Sequence, residues 1–110
     1  MAVSLPRQGG VPGGYNDADP QDPQVKEAMK VFDDNLHTAF PDESNGCLKD
    51  LHAFSQVVNG MNYKFVKTFQ KVVSGEDCSV AKGLMSKCTG VVYSSRDGRK
   101  SVTSLDCKHV

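Results

Sequence analysis

The sequence predicts an α+β domain in which an antiparallel β-sheet of four to five strands wraps around one long α-helix. Two observations carry this expectation. Val25, Ala28, Met29, Phe32, Leu36 and Ala39 recur at three- and four-residue spacing and make a single apolar stripe. Beyond Pro41, extended runs rich in aromatic and β-branched residues come in pairs, and each pair is joined by a hairpin signal. Asn59-Gly60 joins the first pair and Asp97-Gly98 the second.

The elements follow in order. Residues 1–22 hold most of the prolines and many glycines with little apolar material. Residues 1–20 are therefore expected to form a flexible arm, with a short strand near it. Asp22 suits an N-cap and Pro23 the first helical position, and Pro41 stops the helix near Phe40. Residues 41–46 read as a loop. Cys47 to Val58 is a strand whose alternation breaks between Leu48 and Leu51, so a bulge is expected near Lys49-Asp50. Asn59-Gly60 suits a type I′ turn, because both residues tolerate positive φ. Tyr63, Phe65 and Phe69 then alternate with Lys64, Val66 and Thr68 in a half-buried strand to about Val73. Residues 78–87 carry no clear period. Cys88 to Tyr93 and Lys100 to Cys107 form the last hairpin.

With 110 residues and 11.9 kDa, the chain is one domain, 1–110, with a single modest core. Thirteen basic residues balance 13 acidic ones, which argues against a nucleic-acid surface. Apolar runs are too short to span a membrane. Four cysteines in so small a chain point to disulfides and an oxidising compartment. Met1 to Arg7 is too short and polar for a secretory leader, so a mature secreted protein with Met1 supplied for expression is the expectation. No Asn-x-Ser/Thr sequon occurs.

Catalytic chemistry finds little footing. A cysteine nucleophile would need an oriented histidine, and His37, His52 and His109 lack evident orienting partners in sequence. Zinc ligation fails on spacing, since no pair of cysteines is separated by two to four residues. Gly13-Gly14 precedes a polar linker rather than opening a helix after a strand, so no phosphate cradle is expected. The chain is not expected to be an enzyme, nor to need a metal or cofactor.

Gln56-Val57-Val58-Asn59-Gly60 fits the Gln-x-Val-x-Gly loop of the cystatins, protein inhibitors of papain-like cysteine proteases. The order of parts is similar over nearly the whole chain: a glycine pair at 13–14, one long helix, this hairpin, then a cysteine-bounded C-terminal hairpin. The resemblance is to the secreted (type 2) cystatins. It implies a reversible wedge with three contacts. Val11, Pro12 and Gly13 would lie along the non-primed side of the protease cleft, with Gly13 allowing the bend. Gln56, Val57, Val58, Asn59 and Gly60 would straddle the catalytic cysteine, and Ser95, Arg96 and Asp97 would touch the primed side.

Four cysteines allow three pairings. Cys88 and Cys107 face each other across the last hairpin, and their spacing resembles the second disulfide of type 2 cystatins. Cys47 and Cys78 would then pair. This departs from the family, whose first disulfide closes a short loop; Cys47 lies opposite roughly residues 70–74 and is placed to substitute.

Type 2 cystatins usually carry Pro-Trp in the second hairpin, whereas this chain has no tryptophan. Cathepsins of the L, S and C types are therefore the expected partners, with cathepsin B held weakly. The missing Pro-Trp and the ending Lys100 to Ser104 look like the secreted cystatins of ticks, which implies host proteases and immune modulation. A legumain site is not expected, because Phe40-Pro41-Asp42 lacks the family's asparagine and Asn45 is displaced. A monomer is expected, with a domain-swapped dimer allowed by a hinge at Val58-Asn59. The alternative is a non-inhibitory, secreted binding protein of the same fold.

Overall fold

The computed structural model describes residues 14–73 and 77–110. Its elements are β1 (Asn16–Asp17), α1 (Pro23–Ala39), α2 (Pro41–Ser44), β2 (Cys47–Val58), β3 (Gly60–Gln70), β4 (Met85–Ser94) and β5 (Lys100–His109). The five strands form one antiparallel sheet in the order β1-β2-β3-β4-β5, and α1 packs against β3, β4 and β5. Every strand neighbours the next in sequence, as hairpin signals between alternating runs require.

Helix α1 begins as its sequence dictates. The Asp22 carboxylate accepts a hydrogen bond from the Gln24 backbone N–H at 2.8 Å, and Pro23 opens the first turn, where its missing N–H costs nothing. Val25, Ala28, Phe32 and Leu36 are buried. Ala39, expected in the same stripe, is exposed; Phe40 just beyond the helix packs against the core in its place. The helix ends with the Phe40 N–H bonded to the Leu36 carbonyl at 2.7 Å.

Helix and sheet meet through Phe32 and Phe65, whose ring centroids lie 5.4 Å apart. Gly90 makes that approach possible, since a Cβ there would stand 2.8 Å from Phe32 Cε1. Tyr63, Phe65 and Phe69 face the helix as the period-two pattern predicts. Lys67 falls in the same row and is also buried. Its Nζ reaches Asp33 of α1 at 2.8 Å, a sheet-to-helix ion pair with side chains only 10% and 33% exposed.

Several boundaries differ from the sequence reading. The segment 41–46 is not wholly a loop: Pro41 starts the one-turn α2, with Ser44 N–H bonded to Phe40 O at 3.0 Å. Residues 16–18, expected within a flexible arm, are instead held to the sheet: Asn16 and Asp17 pair with Ser55 and Phe54, and the Ala18 N–H bonds Ala53 O at 2.9 Å. Strand β3 stops at Gln70 rather than Val73, whereas β4 and β5 extend to meet one another from Ser86–His109 onward. The bulge near Lys49-Asp50 is present as a register shift between Leu48 and Asp50. A second shift, at Val91/Val92, leaves Thr103 without a register partner.

Both disulfide pairings match expectation. Cys47 joins Cys78, and Cys88 joins Cys107, whose Cα atoms are register partners 4.0 Å apart. No cysteine is free, so a thiol nucleophile is not available. His52 does have a carboxylate partner, Asp50 at 2.9 Å, but both side chains lie on open surface, 58% and 57% exposed.

Candidate functional site

The β2–β3 tip and the β4–β5 loop project from the same end of the sheet. Each is shaped by a glycine that supplies a backbone angle other residues resist. At the first tip, Val57 pairs with Met61 and Val58 with Gly60, so Asn59 alone stands unpaired at the apex. Gly60 has φ 107°, while no other described residue except Gly98 has positive φ. The turn is thus not the expected type I′, which needs two consecutive positive angles. One glycine absorbs the whole reversal.

At the second loop, the Gly98 N–H bonds Ser95 O at 3.0 Å and the Ser95 N–H bonds Arg99 O at 2.8 Å. Gly98 has φ 89°, as a β-turn closed by a left-handed residue requires. The Asp97 carboxylate knits the loop together. It accepts from the Ser95 hydroxyl, from the Arg99 N–H at 3.2 Å and from Arg99 Nε at 2.9 Å. These bonds, the Ser95 hydroxyl first and then the Arg99 backbone and side chain, hold the Asp97 carboxyl below its ordinary value of 3.8. A folded-state pKa below the unfolded one means that the carboxylate supports the loop above the ordinary value and loses that support as pH falls through the folded one. Titration of the Asp97 carboxyl carbon by NMR should accordingly give a midpoint below 3.8.

Between the two loops runs an open groove. Its walls include Val57, Val58 and Met61 from the first hairpin and Ser95 and Arg96 from the second. The N-terminal turns of α1 form its back, where Glu27 receives Lys100 Nζ at 3.3 Å and Gln24 Oε1 receives the Tyr63 hydroxyl at 3.5 Å. Burial, and then the charges of Asp22 and Glu27, push the Tyr63 hydroxyl pKa upward, so it stays a donor.

The structure therefore brings together Gln56, Val57, Val58, Asn59, Gly60, Ser95, Arg96 and Asp97 at one end. Their surroundings differ. Val57 is 67% exposed and Val58 38%, an apolar shoulder at the end of the sheet. Gln56 lies one row behind the tip, where its Oε1 accepts from Asn62 Nδ2 at 2.8 Å. Arg96 is exposed, whereas Asp97 is committed to its own loop. Val11, Pro12 and Gly13 lie outside the described residues. Strand β1 places Asn16 opposite Ser55 and Asp17 opposite Phe54.

Two contributors escaped the sequence reading. Tyr93 donates from its hydroxyl to the Asn59 carbonyl at the tip, and Lys100 ties the second hairpin to the helix. Tyr93 read only as the end of a strand. Among the described residues, no three His, Cys, Asp or Glu side chains gather as a metal site.

No family model and no curated protein matches this chain at the level of sequence. Solved structures do match. A salivary cystatin from the soft tick Ornithodoros moubata aligns at 28% identity over 90% of this chain and 100% of its own, with a TM-score of 0.56. Al-CPI aligns at 20% identity over 89% of this chain and 100% of its own, with a TM-score of 0.66. Dimeric human cystatin F aligns at 16% identity over 100% and 98%, with a TM-score of 0.54. The five-stranded sheet around one helix, the tip at Asn59 and these alignments agree: the chain is a cystatin-fold protein, similar to tick cystatins.

Proposed function

We propose that the protein is a reversible, tight-binding inhibitor of papain-like cysteine proteases. The observation that carries this reading is the shared edge. Two braced loops sit side by side and present an exposed apolar shoulder at Val57 and Val58. Gln56 to Gly60 enters the cleft over the catalytic cysteine, Ser95 to Asp97 rests on the primed side, and Val11 to Gly13 follows the non-primed side. A hairpin tip whose two strands pair with each other up to Val58 and Gly60 is poorly shaped as a substrate, so the complex is blocked rather than turned over. Its lifetime resides chiefly in the dissociation rate. The tick-cystatin similarity and two disulfides fit a secreted protein acting on host proteases, with immune modulation as its outcome.

Selectivity follows from the second loop. It offers no aromatic anchor, and its outward-facing charge is Arg96, since Arg99 is paired with Asp97 and Lys100 with Glu27. Cathepsins of the L, S and C types are the targets, and cathepsin B is held weakly. Arg96 steers association toward an acidic rim. Arg96→Gln should slow association with an acidic-rimmed protease about threefold at low salt and flatten the salt dependence, with dissociation little changed. Stopped-flow association at two ionic strengths checks this.

The test of the function itself is titration of a cathepsin L-type protease with the intact chain and with a version lacking residues 1–13. Nanomolar or tighter inhibition, weakened by the truncation, supports the three-part wedge. Failure against cathepsins L, S, C and B alike leaves the secreted binding protein as the better reading.

A further inference from the structure

The side chain of Tyr93 has no part in the core, yet its placement bears on the tip. Strand alternation puts its neighbour Val92 in the core, fully buried, and Tyr93 on the opposite face of the sheet. There Tyr93 pairs with Asn62, which pairs in turn with Gln56, making a row across β4, β3 and β2. The final register pair between β3 and β4 is Met61 with Ser94. Val58, Asn59 and Gly60 thus extend past the support of the neighbouring strand.

Tyr93 reaches across that gap. Its hydroxyl donates to the backbone carbonyl of Asn59, the apical residue. Its ring lies over the space that a side chain at position 60 would occupy. A Cβ on Gly60 would stand 3.0 Å from the Tyr93 hydroxyl oxygen and 3.1 Å from its Cε1, and closer still to the Ser94 carbonyl. Gly60 therefore does two things. It turns the chain, and it leaves the slot through which Tyr93 grips the apex.

We propose that Tyr93 is a positioning residue that fixes the β2–β3 tip against the second hairpin, so that the two loops meet a protease as one preformed edge. This rests on the inhibitor reading for its consequence but not for its existence. A tip held by strand pairing on one side only would sample several apical conformations, and binding would have to select one. A hydroxyl bond to the apical carbonyl removes that selection step. It also satisfies a carbonyl that the turn leaves without a ladder partner.

The test is Tyr93→Phe, which keeps the ring and removes only the donor. Amide hydrogen exchange by NMR should quicken about three- to tenfold at Asn59, Gly60 and Met61, the range one neutral hydrogen bond supplies. Exchange at Phe65 and Val92 should stay unchanged, which separates a local brace from general destabilisation. Inhibition of a cathepsin L-type protease should weaken by a similar factor. Unchanged tip exchange overturns the brace. Faster tip exchange with unchanged inhibition overturns its positioning role. If the native protein inhibits no papain-like protease, the inhibitor reading and the functional half of the proposal fall together, and tip exchange still decides whether the brace exists.

Discussion

Gly60→Ala should weaken protease inhibition about a hundredfold, which corresponds to roughly 3 kcal/mol of binding free energy. Two costs combine. A non-glycine residue at φ 107° carries backbone strain of about 1–2 kcal/mol. The new methyl group would also collide with the Ser94 carbonyl and press on Tyr93, so the apex must move away from the second hairpin. Gly98→Ala separates the two effects. Gly98 also has positive φ, 89°, but a Cβ there meets nothing within 4 Å. It should pay the strain alone, about 1 kcal/mol, and leave the first tip in place. Similar inhibition constants for the two variants would show that crowding at the tip is unimportant.

Asp33→Ala should lower folding stability by about 3 kcal/mol, near the lower end of the range for breaking a buried ion pair. The argument concerns the lysine left behind. Lys67 sits in the helix-facing row of the central strand with its side chain only 10% exposed, and Asp33 is its carboxylate partner. Removing Asp33 strands a cation between helix and sheet. Replacing Lys67 by Met keeps the volume and removes the charge, so Lys67→Met should cost much less, and the double variant less than Asp33→Ala alone. Urea denaturation of the three variants checks the order. Equal losses for Asp33→Ala and Lys67→Met would mean that the desolvated charge is not the governing cost.

These two sites differ in how far the sequence discloses them. The motif glycine is visible because turn chemistry is local: Asn59-Gly60 between two extended runs signals reversal without further context. What lies beside it is not local. Tyr93 is 33 positions away from Gly60 along the chain, and only the register of β3 on β4 brings it to the apex. The same holds for Lys67 and Asp33. Asp33 looks like a solvated charge on its helix and Lys67 falls in an otherwise aromatic strand row, and only the docking of α1 on β3 turns them into a pair.

The helix was legible almost to the residue, because its cap, its proline and its stripe are short-range signals. The disulfide Cys88–Cys107 was legible from hairpin geometry, whereas Cys47–Cys78 rested on elimination and approximate register. The α2 turn was missed because four residues are too few to show a period. The extra residue Thr103 was missed because the run of Ser, Val and Thr alternates equally well in either register. At the functional end, both loops were identified by their turns, but the groove behind them was not. Its back wall comes from the first turns of α1, which sequence marks only as a polar helix face.

The most direct test of the central claim is active-site titration of a cathepsin L-type protease with the intact protein, followed by recovery of both partners on dilution. The wedge account predicts stoichiometric inhibition at nanomolar concentration, release of active enzyme, and an inhibitor chain uncut between Gln56 and Gly60. Full protease activity in the presence of excess protein, or cleavage of that tip with turnover, would contradict it.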